Sequence, residues 1–365
     1  MPTVADSVDA VVGGDTHVDT TSLCVVSPVG AVIDQITIDN DEDGYARAIT
    51  WMLQSVPSAR LLVGLEGTSS YGAGLRRAVE AVGLPVVEVE RPSRGERGRR
   101  GKSDPGDAVL AARKVLAMDV HRTPQPRTGE GVREALRLLL MDREAASTQR
   151  TRQINQLLAM LLTGTAEQQA LRKHDLTTAT LELLARTRHR ASQPIDQRVR
   201  IQVLRRTARD LLRLSEQLRD NERQLQLIIK DIAPQLIERP GVGPVCAAQL
   251  VVSYSHHGRC RDEAAFAALA GVSPVPASSG RITRHRLNRG GDRQLNRALH
   301  VVAVTRARYE PRTKDYVQRH RHHKTDREIR RQLKRYIARE LFKVLQSIDA
   351  LTPPTPAPNK INTAA

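Results

Sequence analysis

Four carboxylates and two serines stand in surroundings suited to chemistry. Asp15 lies in VVGGDTH, after a short apolar run and two glycines that let another group approach closely. Glu66, in LLVGLEGTSSYG, directly follows an apolar run, where a carboxylate must reach solvent or hold a cation to offset its burial. Asp104 and Asp107, in KSDPGDA, are three residues apart at an expected helix start and so share one helical face. Carboxylates that converge repel one another unless cations neutralise them. The D…E…DxxD set therefore predicts two Mg²⁺ ions about 3.5–4 Å apart, acting on one phosphodiester. Ser278 and Ser279 precede Gly280, in a segment that also supplies Arg281, Arg284, Arg286, Arg289 and Arg293. A serine hydroxyl among those guanidinium groups is suited to attack a phosphate whose charge they neutralise, leaving a covalent link to the protein. Each of these residues also has a plainer reading: a turn aspartate, an exposed strand end, helix-capping acids, a loop serine.

Other segments suit a polyanion without doing chemistry. Arg94, Arg97, Arg99, Arg100 and Lys102 crowd the loop before Asp104, as a phosphate-tracking loop beside a metal site requires. In PGVGP, Gly241 and Gly243 form a hairpin that presents backbone N–H groups at a helix start, which suits a DNA phosphate and equally a plain interhelical turn. Residues 319–339 place nine Lys and Arg on an expected helix, giving a wide cationic face. The groups His256, His257, Cys260 and His320, His322, His323 lack zinc-finger spacing.

The charge is polarised along the chain. Of 365 residues, 57 are Lys or Arg and 40 Asp or Glu, a net +17. Residues 1–90 hold four basic and thirteen acidic side chains, so −9 there leaves +26 for the rest. So basic a surface favours a polyanion, because each neutralised phosphate releases counterions. Aromatic residues are only 2%, which argues against a sheet that stacks bases on exposed rings. Three widely spaced cysteines give neither a disulfide framework nor a zinc ribbon. No apolar stretch approaches the ~18 residues needed to span a bilayer, and a cytoplasmic protein is expected.

Positioning the acids requires an α/β frame. Val11–Val12 and segments 22–27 and 31–38 read as an opening meander of strands; helix at 44–55, strand at 60–65, helix at 71–82 and strand at 85–90 follow. A helix at 108–118 and a linker at 121–130 come next. Residues 132–162 and 198–232 have the length of long helices, and Leu204, Ala208, Leu211, Ser215, Leu218, Glu222, Leu225 and Ile229 follow a coiled-coil seam. They are expected to form a hairpin or inter-subunit bundle with an irregular tip at 163–197. Helical patterns recur at 262–270, 293–309 and 325–348. The predicted fold class is α/β plus α: a mixed-sheet domain at 1–125, coiled-coil helices at 126–235, a mostly helical domain at 236–350, and a Pro-rich disordered tail at 351–365.

Read together and in this order, GGDTH, GLEGTSSYG, KSDPGDA, PGVGP and AGVSPVPASSG…HRLNRGGDRQLNRAL resemble the bacterial insertion-sequence transposases of the one-ten family, also called DEDD transposases. The resemblance spans nearly the whole chain. It implies a RuvC-like domain with an RNase H fold, a coiled-coil insertion, and a carboxy-terminal transposase domain with a helix-hairpin-helix and a catalytic serine. It puts Asp15, Glu66, Asp104 and Asp107 in the Mg²⁺-binding roles and Ser279 in the nucleophile's, with Ser278 as the fallback. The expected partners are element-end and target DNA, a structured bridge RNA as guide, and further copies of the chain in a dimer or tetramer. Gly14 departs from the family, which commonly has Ile or Val there, and would end the first strand a residue early. The alternative is a RuvC or RNase H-like nuclease or junction resolvase, using the same carboxylates with water as nucleophile. An actin-like kinase gives the arginine-rich half no role, and a non-catalytic binding protein gives the carboxylates none.

Overall fold

The computed structural model describes residues 2–56, 60–89, 104–172, 176–276, 285–288 and 290–352. Alternating and continuous apolar runs build a five-stranded sheet from β1 (Ala10–Thr16), β2 (Thr20–Val26), β3 (Val32–Asp39), β4 (Leu61–Leu65) and β5 (Val86–Glu88), in the order β3-β2-β1-β4-β5. The first three strands form the expected antiparallel meander, and β4 and β5 lie parallel to β1 through helical crossovers. Helix α1 (Glu42–Ser55) starts where Asp41 accepts the Gly44 N–H at 2.7 Å, and α2 (Ala73–Ala81) joins it on one face over Val12, Leu23, Val63 and Leu65. Helix α3 (Asp104–Leu116) covers the other face, packing Ala108, Ala112 and Val115 on Val11, Cys24 and Val87.

Gly13 sets how close α3 comes. A Cβ there would lie 2.2 Å from the Ala108 carbonyl oxygen and 2.4 Å from the Ala112 nitrogen, so only glycine fits beneath the helix. Gly14 does not end the strand early, contrary to expectation. β1 continues through Asp15 to Thr16, with Asp15 opposite Ser22, and Leu23 and Leu65 fill the space that an Ile or Val at position 14 would occupy.

The supposed linker at 121–130 is tied down. The Glu88 N–H donates to the Pro124 carbonyl at 3.0 Å, and Arg127 N–H donates to Glu88 and to Thr68 Oγ1. Fixing Glu88 and Arg127 together makes this segment an extension of the sheet edge.

The two long helices are α4 (Gly131–Leu162) and α7 (Ile195–Ile232), and they run antiparallel. Arg143 donates to the Leu218 carbonyl at 3.0 Å, Arg150 to Ser215 Oγ at 3.2 Å, and Arg200 to the Met160 carbonyl at 2.8 Å. The apolar seam holds at its ends, where Leu204, Ala208, Leu211, Leu225 and Ile229 are buried. In the middle Glu222 is exposed, and the buried Asn221 takes the interior position, donating to the Leu139 carbonyl at 2.8 Å. The tip is more regular than expected: α5 (Ala166–Arg172) and α6 (Thr178–Arg186) lie in it, and Leu181 and Leu184 of α6 join Leu157, Leu161, Leu204 and Leu211 in a core.

Helices α8 (Pro234–Ile237) and α9 (Pro244–Tyr254) flank the PGVGP turn, and α10 (Glu263–Leu269) is capped by Asp262. A two-stranded ribbon of β6 (Val275–Pro276) and β7 (His285–Arg286) follows, then α11 (Arg293–Tyr309), α12 (Pro311–His320) and α13 (Asp326–Gln346). Helix α12 escapes the sequence pattern because only Thr313 in it is buried. The chain divides into two compact units, a sheet unit of residues 1–134, 253–291 and 338–365 and a helical unit of residues 135–252 and 292–337. Among the described residues no helix is long and apolar enough to cross a membrane.

Candidate active site

Strand register carries two of the four acids to one end of the sheet. Gly13 is opposite Gly64 in the parallel β1–β4 pair, Gly14 is opposite Leu65, and the Glu66 N–H continues the ladder by donating to the Gly14 carbonyl at 3.3 Å. A Cβ on Gly13 would point at Ala108 and Ala112, and one on Gly64 at Val115, so this is the face covered by α3. Side chains two residues further along a strand return to the same face. Asp15 and Glu66 therefore stand beside each other there, on neighbouring strands. Asp104 and Asp107 occupy the first turn of α3, one turn before the residue that meets Gly13.

Asp15, Glu66 and Asp107 are 3%, 6% and 7% exposed, which makes their charge expensive without compensation. His17 Nε2 lies 3.2 Å from Asp15 Oδ2, and Thr16 Oγ1 donates to the Glu66 carbonyl at 3.2 Å, steadying the ends of both strands. Hard, buried carboxylate oxygens are the donors that a divalent cation such as Mg²⁺ prefers. Among the described residues, however, no three His, Cys, Asp or Glu side chains stand together as a cation site, and the Asp104 side chain lies outside the described set.

Beside Glu66 opens a cavity of about 790 Å³ that Thr16, Glu88, Lys114, Arg127 and Arg259 also line. Arg127 Nε donates to both oxygens of Glu88, at 2.7 and 2.9 Å. Burial pushes the Glu88 carboxyl upward, but the hydrogen bonds and charge of Arg127 outweigh it and hold the group below its ordinary range. Burial, then the charges of Arg127 and Arg259, lower Arg133 to about 10. Burial, then the charge of Arg259, lower His256 to about 4, so that imidazole is neutral at physiological pH.

Several expected residues lie outside the described set: Arg94, Arg97, Arg99, Arg100, Lys102, Ser278, Ser279, Arg281, Arg284 and Arg289. The ribbon flanking the serine segment belongs to the sheet unit, and Arg286 in β7 is exposed, as is Arg293 at the start of α11. In the PGVGP turn Gly241 has φ +73°, a left-handed conformation that favours glycine. The buried Arg306 of α11 donates to the Pro240 carbonyl at 2.7 Å, while a Cβ on Gly243 would meet nothing within 4 Å. Neither histidine group forms a cation site among the described residues; His257 instead accepts or donates at Tyr254 Oη, 3.0 Å, and donates to the Ile348 carbonyl at 2.9 Å. The sequence reading passed over His17, Glu88, Arg127 and Arg259. Only His17, two residues from Asp15 on a strand, carried a local signal.

Two family models match in succession. A DEDD transposase model of the IS110 type matches residues 12–165, and the model described as transposase of the IS116/IS110/IS902 family matches residues 233–318. The first span contains all four acids, and the second contains Ser278 and Ser279. The 44.8 kDa protein of insertion element IS116 from Streptomyces clavuligerus is 34% identical over 30% of this chain and 28% of its own length. The 43.6 kDa protein of insertion element IS110 from Streptomyces coelicolor is 33% identical over 31% of this chain and 29% of its own. The chain thus aligns with less than a third of the length of these two relatives. The 42 kDa protein of insertion element IS900 from Mycobacterium paratuberculosis is 25% identical over 75% of this chain and 76% of its own length. With one model following the other and relatives that come from insertion elements, residues 12–165 and 233–318 resemble the two domains of DEDD transposases of the IS110/IS116 family.

Proposed function

We propose that the chain is a divalent-metal-dependent DNA recombinase that excises and inserts a mobile element through a phosphoserine link. What supports this reading is the side-by-side placement of the buried Asp15 and Glu66 at the ends of parallel neighbours, on the face that α3 covers; Asp104 and Asp107 belong to the first turn of that helix. Those four carboxylates would hold Mg²⁺, which when bound polarises one phosphodiester of the DNA. His17 orients Asp15, and Thr16 fixes the backbone at Glu66.

The covalent step belongs to Ser279, with Ser278 as the fallback. Its Oγ bonds to phosphorus as the bond from phosphorus to one sugar oxygen breaks, and the serine proton passes to that departing oxygen. A DNA hydroxyl then attacks the same phosphorus, and Ser279 leaves with a proton restored. Bond energy is conserved throughout, so rejoining needs no nucleotide cofactor. Arg281, Arg284, Arg286, Arg289 and Arg293 steady the phosphate charge; Arg94, Arg97, Arg99, Arg100 and Lys102 track the strand toward the acids; Gly241 and Gly243 offer backbone N–H groups to another phosphate. A bridge RNA bound by the cationic helices selects the DNA, and the α4–α7 hairpin pairs subunits as a coiled coil in a dimer or tetramer.

Trapping tests this reading. The chain is incubated with Mg²⁺ and end-labelled duplex from the DNA flanking its gene, then denatured. Label is expected on a peptide containing Ser279. Cleavage without any adduct, surviving Ser279→Ala together with Ser278→Ala, overturns the phosphoserine step in favour of a nuclease that uses water.

A further inference from the structure

The cavity beside Glu66 holds chemistry that the reading above leaves unused. Thr16 and Glu66 line it on the strand-end side, and Lys114, Arg127 and Arg259 bring three cations to the same concave space, all within the sheet unit. None of these cations belongs to the basic loop or to the serine segment.

Two of the guanidinium groups are held in place. Glu88 grips the Arg127 side chain through both carboxylate oxygens and also accepts its backbone N–H at 3.1 Å. Arg259 donates to the Ser253 carbonyl. A guanidinium fork fixed in this way loses little further freedom when it meets an anion. The surroundings favour that meeting. Arg133 stands close enough to Arg127 and Arg259 for their charges to lower its affinity for its own proton. The buried His256 stays uncharged and has no hydrogen-bond partner at Nε2 among the described residues. Like charges crowded behind one carboxylate are relieved by a bound anion, and planar forks match phosphate oxygens in pairs.

We propose that Arg127, Arg259 and Lys114 form a phosphate-binding wall that seats the DNA strand next to the bond being cut, with Glu88 as the positioning residue for Arg127. That the anion is a DNA phosphate rests on the recombinase reading; the wall itself rests on the cavity.

The test is the salt dependence of binding to a fluorescent duplex taken from the DNA flanking the gene, measured with Mg²⁺ on the full chain. Arg259→Gln and Arg127→Gln are each expected to flatten the slope of log affinity against log salt by about 0.9, the value of one phosphate contact on duplex DNA. Arg259→Lys should keep the wild-type slope, since it keeps the charge. Glu88→Gln should raise the KM for adduct formation and leave kcat close to wild type. If Arg259→Gln melts below wild type, Lys114→Gln provides the same reading from the opposite end of the wall. Unchanged slopes in both Arg259→Gln and Lys114→Gln, with the wild type still forming its serine adduct, overturn the wall and leave the recombinase. Flattened slopes in a protein that forms no adduct with any DNA support the wall and overturn the recombinase.

Discussion

The two units differ far more in charge than in size. The helical unit carries 33 Lys and Arg against 17 Asp and Glu, whereas the sheet unit carries 24 against 23. Nearly all of the chain's excess charge thus lies in the unit that lacks the four candidate acids. A nearly neutral unit can afford buried carboxylates at a strand end and still keep a small cationic wall beside them. A unit at +16 attracts a polyanion from any direction, without geometric demands. The difference teaches that attraction and chemistry are separable in this molecule, and that substitutions should sort accordingly.

The sharpest break in the comparison is expected at Asp15. Asp15→Asn keeps the shape and removes the charge, and should lower recombination by more than about 100-fold, the upper loss seen when a partner merely orients a metal ligand. DNA affinity measured in parallel should hold, and a matching fall in affinity would erase the distinction between the units. His17→Ala should cost less, about 10–100-fold in the same assay, because it only orients Asp15.

Stability gives a second cut. Gly13→Val pushes a side chain into the α3 backbone and should destabilise the sheet unit by roughly 3 kcal/mol, seen as a lower midpoint in urea. His256 gives a pH signature of similar size. Burial holds its folded-state value at about 4, below the ordinary imidazole value of about 6.5, so the unfolded chain takes up the proton first as pH falls. Stability should be complete above about pH 6.5 and be lost progressively down to about pH 4, by up to about 3 kcal/mol. His256→Gln should flatten that limb of the melting profile. The smallest effect belongs to the helical unit, where Arg327→Gln with Arg331→Gln on the exposed face of α13 should flatten the salt slope by about 0.9 per phosphate contact and leave the rate at saturating DNA unchanged.

Legibility in the sequence followed the range of the interactions. The strands β1 to β5 and helices α1 to α3 were readable because alternation and helical spacing are local, and Asp15 and Glu66 stood out as charges ending apolar runs. Their adjacency was not local. It depends on β4 pairing with β1 rather than with β3, a choice made by crossover helices. The same reason hid the Glu88–Arg127 grip and the contribution of Arg259, which reaches the cavity from a segment nearly 200 residues beyond Glu66. The heptad pattern of α7 overstated its seam, because spacing alone could not show that Asn221, rather than Glu222, turns inward.

The sheet unit also has an order of assembly written into it. Strands β1 to β5 precede both long helices in the chain, yet Arg259 and α10 follow them, and the ring cluster of Tyr254, Phe266 and Phe342 waits for α13. Termination between residues 287 and 341 would release a chain whose strands are all present but whose aromatic cluster lacks Phe342. The aromatic cluster of the sheet unit is thereby completed only once a segment beyond both long helices has been made.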